Sequence, residues 1–174
     1  MHQNESLLTR PGTLTPDVAL TWSSGFLATL AITTIMYVFP AVGLPQVDLP
    51  IYAARLFVGD ALSAAVIGLG VHLVVGLAFA WVYVEWVEPR LAFGPGTSGL
   101  LFGVALWLLA QAVAVPLLGW IAYLVRDGSL VTPGFLSLRL GLGAALGSLA
   151  AHLAYGGTLG YVYGCRGGGR CRPE

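Results

Sequence analysis

The chemistry this sequence can offer is carried by two histidines. His72 opens "HLVVGLAFAWVY" and His152 opens "HLAYGGTLGYVY", and the two segments align without gaps at an offset of 80 residues. The shared pattern is H-L-x-x-G-x-x-x-x-[WY]-V-Y, each time inside an apolar run with no charged neighbour. An imidazole so placed is a ligand or a hydrogen-bonding group rather than a fixed cation, because an apolar medium penalises an unpaired charge. Taking every fourth residue through each histidine gives two rows. One is Ala64, Gly68, His72, Gly76, Ala80; the other is Ala144, Ser148, His152, Gly156, Gly160, Gly164. Every neighbour is small. Small-xxx-small rows let helix backbones approach closely in lipid, where no hydrophobic effect acts between helices. A glycine costs a helix about 1 kcal/mol relative to alanine, so such rows need a reason in packing or in a site.

Both reasons are open. In the packing reading each imidazole bonds across to its twin, to Thr33, Thr34, Ser63, Gln111, Ser148 or Thr158, or to carbonyls loosened by Pro40 and Pro116. In the site reading His72, His152, Gly76 and Gly156 wall a slot for a flat group. Two axial imidazoles from facing helices are how a b-type haem is held in a helical bundle. A quinone, a lipid, another solute or a proton relay are the other uses of a polar group at that depth. Haem has a count against it: no basic residue lies near either histidine to meet propionates, and Arg55 and Arg139 reach only from the outer surface. On sequence alone the balance favours packing.

Membrane helices must position these residues. The chain of 174 residues is 57% hydrophobic and 9% charged, with a mean hydropathy of +0.83, whereas soluble domains carry about 25% charge. A core of this size could not hide that apolar surface from water. The few charges are also sorted, since residues 25–43, 61–84, 98–125 and 141–164 contain no Asp, Glu, Lys or Arg. Each run approaches or exceeds the roughly 20 residues that cross about 30 Å of hydrocarbon as a helix. The expectation is an all-α integral membrane protein with four transmembrane helices, at about 22–43, 58–84, 98–122 and 137–164. Trp22, Trp81, Tyr83 and Trp86 lie where interfacial aromatic belts form. The polar segment 1–21 lacks the basic start of a cleaved signal peptide.

The repeat sets the organisation. "PAVG" at 40–43 matches "PLLG" at 116–119, and Arg55-Leu56 matches Arg139-Leu140. Two tandem two-helix repeats, 22–90 and 91–164, follow, with "VEPRLAFGPGT" as the turn between them and a flexible basic tail at 165–174. Repeats with two crossings each enter the membrane in the same direction, which predicts a pseudo-two-fold bundle about the membrane normal and both histidines near the midplane. On four crossings Arg10, Arg90, Arg166, Arg170 and Arg172 share one side and Arg55, Arg126 and Arg139 the other. Five against three places both termini in the cytoplasm, in the cell membrane. Cytoplasmic cysteines are expected reduced, and Cys165 and Cys171 have poor spacing for a metal. A formal net charge of zero implies no nucleic-acid partner.

"GLLFGVALWLLAQAVAVPLLG" and "AHLAYGGTLGYVYG" resemble the second half of a family of small four-helix bacterial and archaeal membrane proteins, a domain of unknown function. The motifs H-L-x-Y-G-x-x-L-G-x-x-Y-G (His152 to Gly164) and G-L-x-F-G-x-x-x-W (Gly99 to Trp107) carry the likeness, which spans about residues 22 to 164. The resemblance implies the topology and brings no activity with it. The spans offer no nucleophile–base pair and no carboxylate pair. "GLGVHLVVG" follows no strand, so its glycines bind no dinucleotide. The expected function is a non-catalytic structural or accessory component of a membrane assembly, with the bilayer and a homo-oligomer or larger complex as partners. A haem- or quinone-binding electron-transfer subunit using His72 and His152 is the first alternative, and a small transporter or channel along the pseudo-two-fold axis the second.

Overall fold

The computed structural model describes residues 17–45, 48–126 and 133–166. Most of the polar N-terminal segment, residues 127–132 and the tail from 167, with Cys171, lie outside them. The described chain is helical throughout, without a strand. Helix α1 (Val18–Val38) starts earlier than the apolar run suggests, because the Asp17 carboxylate accepts the Leu20 N–H at 3.0 Å and caps it. It runs on as a tighter turn, Phe39–Val42, and stops at Gly43 in a left-handed conformation (φ 79°). A short helix α2 (Leu49–Ala54) follows in what was expected to be a plain loop. Its signal was legible: Asp48 caps the Ile51 N–H at 3.0 Å, and Pro50 occupies the first turn, where its missing donor costs nothing.

Helix α3 (Ala61–Val82) is capped by Asp60 and continues through a widened turn, Tyr83–Val87, into Glu88–Arg90. Helix α4 (Pro95–Leu109) likewise passes through a widened turn, Ala110–Ala114, into α5 (Val115–Arg126). Each widened turn ends two residues before a proline, Pro89 or Pro116. The ring cannot donate to the carbonyl four residues back and crowds it, and a π-type turn absorbs the register shift. Helix α6 (Leu142–Arg166) begins after Gly141, five residues later than expected. The preceding stretch, Phe135–Leu140, holds Leu136 and Ser137 in left-handed backbone (φ 53° and 55°).

Among the described residues three helical stretches are long and apolar enough to cross a membrane: Val18–Val42, Ala61–Arg90 and Pro95–Val125. Four were expected. Helix α6 is long enough, but His152, Tyr155, Thr158 and a succession of glycines dilute its apolar content. Its position explains that composition. It packs along α4 on one side and α1 on the other, with α3 also against α1, so little of it faces outward. The outer helices instead expose large apolar side chains such as Leu30, Leu62, Val66, Val74, Leu101 and Leu108. A girdle of this extent is a surface for lipid or protein rather than water.

The two halves of the chain, expected as tandem repeats about a pseudo-two-fold, do not pack evenly about such an axis. Such an axis would match the long α1–α6 interface with one between α3 and α4. Those two helices meet mainly around their connecting turn, where Tyr83 and Phe102 pack with ring centroids 5.2 Å apart. The reason lies in the side chains. Helix α6 is small on two faces, and its seam with α4 is backbone against backbone: a methyl group on Gly99 would land on the Gly156 carbonyl, and one on Gly160 on the Pro95 carbonyl. Helix α3 has one small row and carries Val71, Val74 and Val75 beside it. The core of Ala28, Ala80, Tyr83, Val84, Phe102 and Leu159 therefore fills the end of the bundle near the α3–α4 turn. Beyond it the helices diverge.

Cys165 is disulfide-bonded, where a reduced thiol was expected.

Candidate functional site

The divergence of α3 from α4 leaves a cavity of about 310 Å³, and both histidines line it. Its floor is α1 and α6, through Thr29, Ile32, Ala151 and Tyr155; its walls are Val71, His72, Val75 and Phe79 of α3 and Leu106, Leu109, Gln111 and Ala114 of the α4–α5 helix; Phe39, Pro45 and Pro50 close the far end. His72 lies eleven residues beyond Ala61 and His152 ten beyond Leu142. At 1.5 Å per residue both stand about 15 Å into their helices.

The small row of α3 behaves as packing surface. Ala64, Gly68, Gly76 and Ala80 are its buried residues. Gly68 abuts the backbone of Pro50 and Ile51 in α2, and a side chain on Gly76 would strike the Thr29 hydroxyl of α1. His72 differs, because its Nε2 is buried and has no hydrogen-bond partner. Leaving such a group unsatisfied costs about 1–3 kcal/mol. His152 is partly committed, since its Nδ1 sits 2.8 Å from the Ser148 carbonyl. A carbonyl only accepts, so Nδ1 carries the proton and Nε2 holds the lone pair.

Tyr155, Gln111 and Ser148 add polar groups to the lining. The Tyr155 hydroxyl donates to the Gly76 carbonyl at 2.6 Å, tying α6 to α3 across the cavity floor. Gln111, in the widened turn, donates through Nε2 to Ser148 Oγ at 2.5 Å and accepts at Oε1 from Ser137 Oγ at 2.7 Å. The left-handed backbone at Ser137 accompanies this inward contact. Tyr155 was missed as a site residue, although its place three residues after His152 puts it on the same helix face. On α2, burial pushes the Tyr52 hydroxyl above its ordinary pKa.

The structure thus brings His72, His152 and Gly76 together around one space and removes Gly156 from it. Gly156 faces the other way, into the α4–α6 seam against Gly99 and Gly103, because α4 packs along that side of α6. Among the described residues no Asp, Glu, Lys or Arg lines the cavity, so haem propionates would find no cation there. Among the same residues no group of three His, Cys, Asp or Glu side chains is placed to hold a metal ion.

No family model, curated protein or solved structure matches this chain.

Proposed function

We propose that this is an integral membrane protein that works without catalysis, as an accessory component holding a small, uncharged, lipid-soluble ligand at mid-depth. The observation that carries this reading is the cavity between α3 and α4, apolar in its walls and furnished with two imidazoles. Its volume of about 310 Å³ lies at the lower end of the roughly 300–1,000 Å³ of small-molecule pockets. That suits a single-ring head group better than a tetrapyrrole, and an uncharged lining suits a neutral ligand better than an ion in transit.

In this reading α6 is the fourth crossing, sheltered by α1 and α4, and both termini lie in the cytoplasm. Five of eight arginines on that side support the orientation, and a topology reporter fused at each end tests it. The fold-level likeness to small four-helix membrane proteins belongs to the same proposal.

The direct test is to purify the protein from native membranes in mild detergent and extract what stays bound. A neutral lipophile near one equivalent, enriched over the bulk membrane, is the expected result. Extracts that match bulk lipid would refute the ligand reading. Migration as a free monomer in native gels would refute the accessory role.

A further inference from the structure

We propose that the cavity is the head-group site of a quinone or quinol, entered sideways from the lipid through the gap between α3 and α4. This rests on the reading above that the cavity holds a lipid-soluble ligand, and it names the class.

Hydrogen bonding disfavours the first competitor, a helix from a second copy or partner. Its backbone donors and acceptors are spent within the helix, which leaves the Nε2 atoms of His72 and His152 unmet. Charge excludes the next. Fatty acids and phospholipid heads would bring an anion to a lining that has no cationic side chain among the described residues, and an unpaired charge in an apolar site is strongly unfavourable. Access excludes water-soluble solutes. The wall residues Val71, Val75 and Leu109 are 51%, 43% and 47% exposed, so the rim of the gap continues the apolar girdle that faces outward. A ligand arriving by this route is already dissolved in the bilayer.

The hydrogen-bond inventory then selects the head. His152 offers a lone pair at Nε2, fixed by the Nδ1 bond to the Ser148 carbonyl, and so calls for a donor. His72 has a buried, unpartnered Nε2 and can present it as donor or acceptor according to its tautomer. A ring bearing oxygen on opposite carbons meets both needs. A quinol donates its hydroxyl protons to the imidazoles, and a quinone carbonyl accepts from His72. The walls suit a flat ring, with the aromatic side chains of Phe79 and Phe39 among them. An isoprenoid tail leaves past Val71 and Val75 into the lipid. Binding alone is assigned; no electron or proton transfer is implied.

The full chain in nanodiscs of zwitterionic lipid is titrated with a decyl-substituted benzoquinone and its quinol, with decylbenzene as an oxygen-free control. The readout is the rise in unfolding temperature with ligand concentration, which yields an apparent Kd. Quinone and quinol are expected to stabilise saturably and decylbenzene at least tenfold more weakly. His72→Leu is expected to raise the quinol Kd about tenfold, equal to about 1.4 kcal/mol. His72→Gln, which keeps a donor and an acceptor, should stay within about threefold. Val75→Trp, at the exposed rim, should abolish saturable stabilisation without changing the ligand-free unfolding temperature. Decylbenzene binding as tightly as quinol, or a Kd indifferent to His72→Leu, overturns the quinone assignment and leaves the ligand cavity standing. If no probe stabilises the protein, the quinone assignment falls, and the extraction of bound lipophile decides the ligand reading by itself.

Discussion

Gly156→Ala gives the sharpest test of how the bundle is held together, because two known effects oppose each other there. Alanine favours a helix over glycine by about 1 kcal/mol, so the substitution would stabilise an open position. At Gly156 a new Cβ would sit 2.7 Å from Gly103 N and 2.8 Å from Gly103 Cα, and closer still to the Gly99 carbonyl. Carbon contacts settle at about 3.5–4.0 Å, so α4 and α6 must part by about 1 Å. These are backbone atoms, and no rotamer can yield. Overpacking of this kind costs about 1–3 kcal/mol, and a gap of about 0.5–1 Å forfeits a quarter to a half of each dispersion contact along the seam. The net expectation is a loss of about 1–3 kcal/mol. Gly70→Ala is the matched control. Gly70 is exposed in the middle of α3, and a Cβ added there would meet no atom within 4 Å. The same exchange should therefore stabilise by about 1 kcal/mol. Reversible unfolding in mixed micelles, followed by far-ultraviolet circular dichroism, measures both. Equal signs for the two variants would refute a backbone-to-backbone seam.

Tyr155→Phe removes the 2.6 Å bond to the Gly76 carbonyl and should cost about 1 kcal/mol in the same unfolding experiment; an unchanged midpoint would mean that the bond does not tie α6 to α3. Gln111→Leu strands the hydroxyls of Ser137 and Ser148; a loss of about 1 kcal/mol should come with faster proteolysis after residue 133, and unaltered cleavage would contradict the link. At the start of α3, the Ser63 N–H on the Asp60 carboxylate, at 2.7 Å, holds that carboxyl below its usual pKa. A lowered folded value stabilises above the unfolded pKa of about 4 and is lost as pH falls through the folded one. Amide exchange at residues 62–64 should therefore accelerate in acid beyond its intrinsic rate, and Asp60→Asn should remove the extra acceleration. An absorption spectrum after expression in haem-replete cells should lack a Soret band; a stoichiometric band would reinstate haem.

The parts of this structure that were legible in the sequence are those governed by local rules. Charge-free runs mark α1, α3 and the α4–α5 helix, since lipid-scale length and apolarity need no tertiary context. The i, i+4 row through His72 identifies four buried positions of α3 without knowledge of their neighbours. What escaped depends on which helix meets which. His72 and His152 are equivalent in the alignment, but only their surroundings give one a fixed tautomer and leave the other unpartnered. Gly156 looked like a cavity wall because its row contains His152; which face turns to α4 is a fact of packing. The even two-fold failed similarly, since a twelve-residue match does not report that α6 is small on two sides. The widened turns were within reach, as Pro89 and Pro116 stand equally far beyond them.

The sheltered place of α6 also bears on how such a chain is built. Apolar content decides whether a segment leaves a translocation channel for lipid unaided, and Leu, Ile, Phe and Val favour that exit. Helices α1 and α3 and the α4–α5 helix have the length and apolarity for it, whereas α6, last in order and thinned by glycine, histidine and tyrosine, gains its environment only from α1 and α4. If α6 crosses the bilayer as proposed, its insertion waits on theirs. Integration and tertiary folding then become one event, and a nascent chain released before Leu142 would present an open groove where its own last helix belongs.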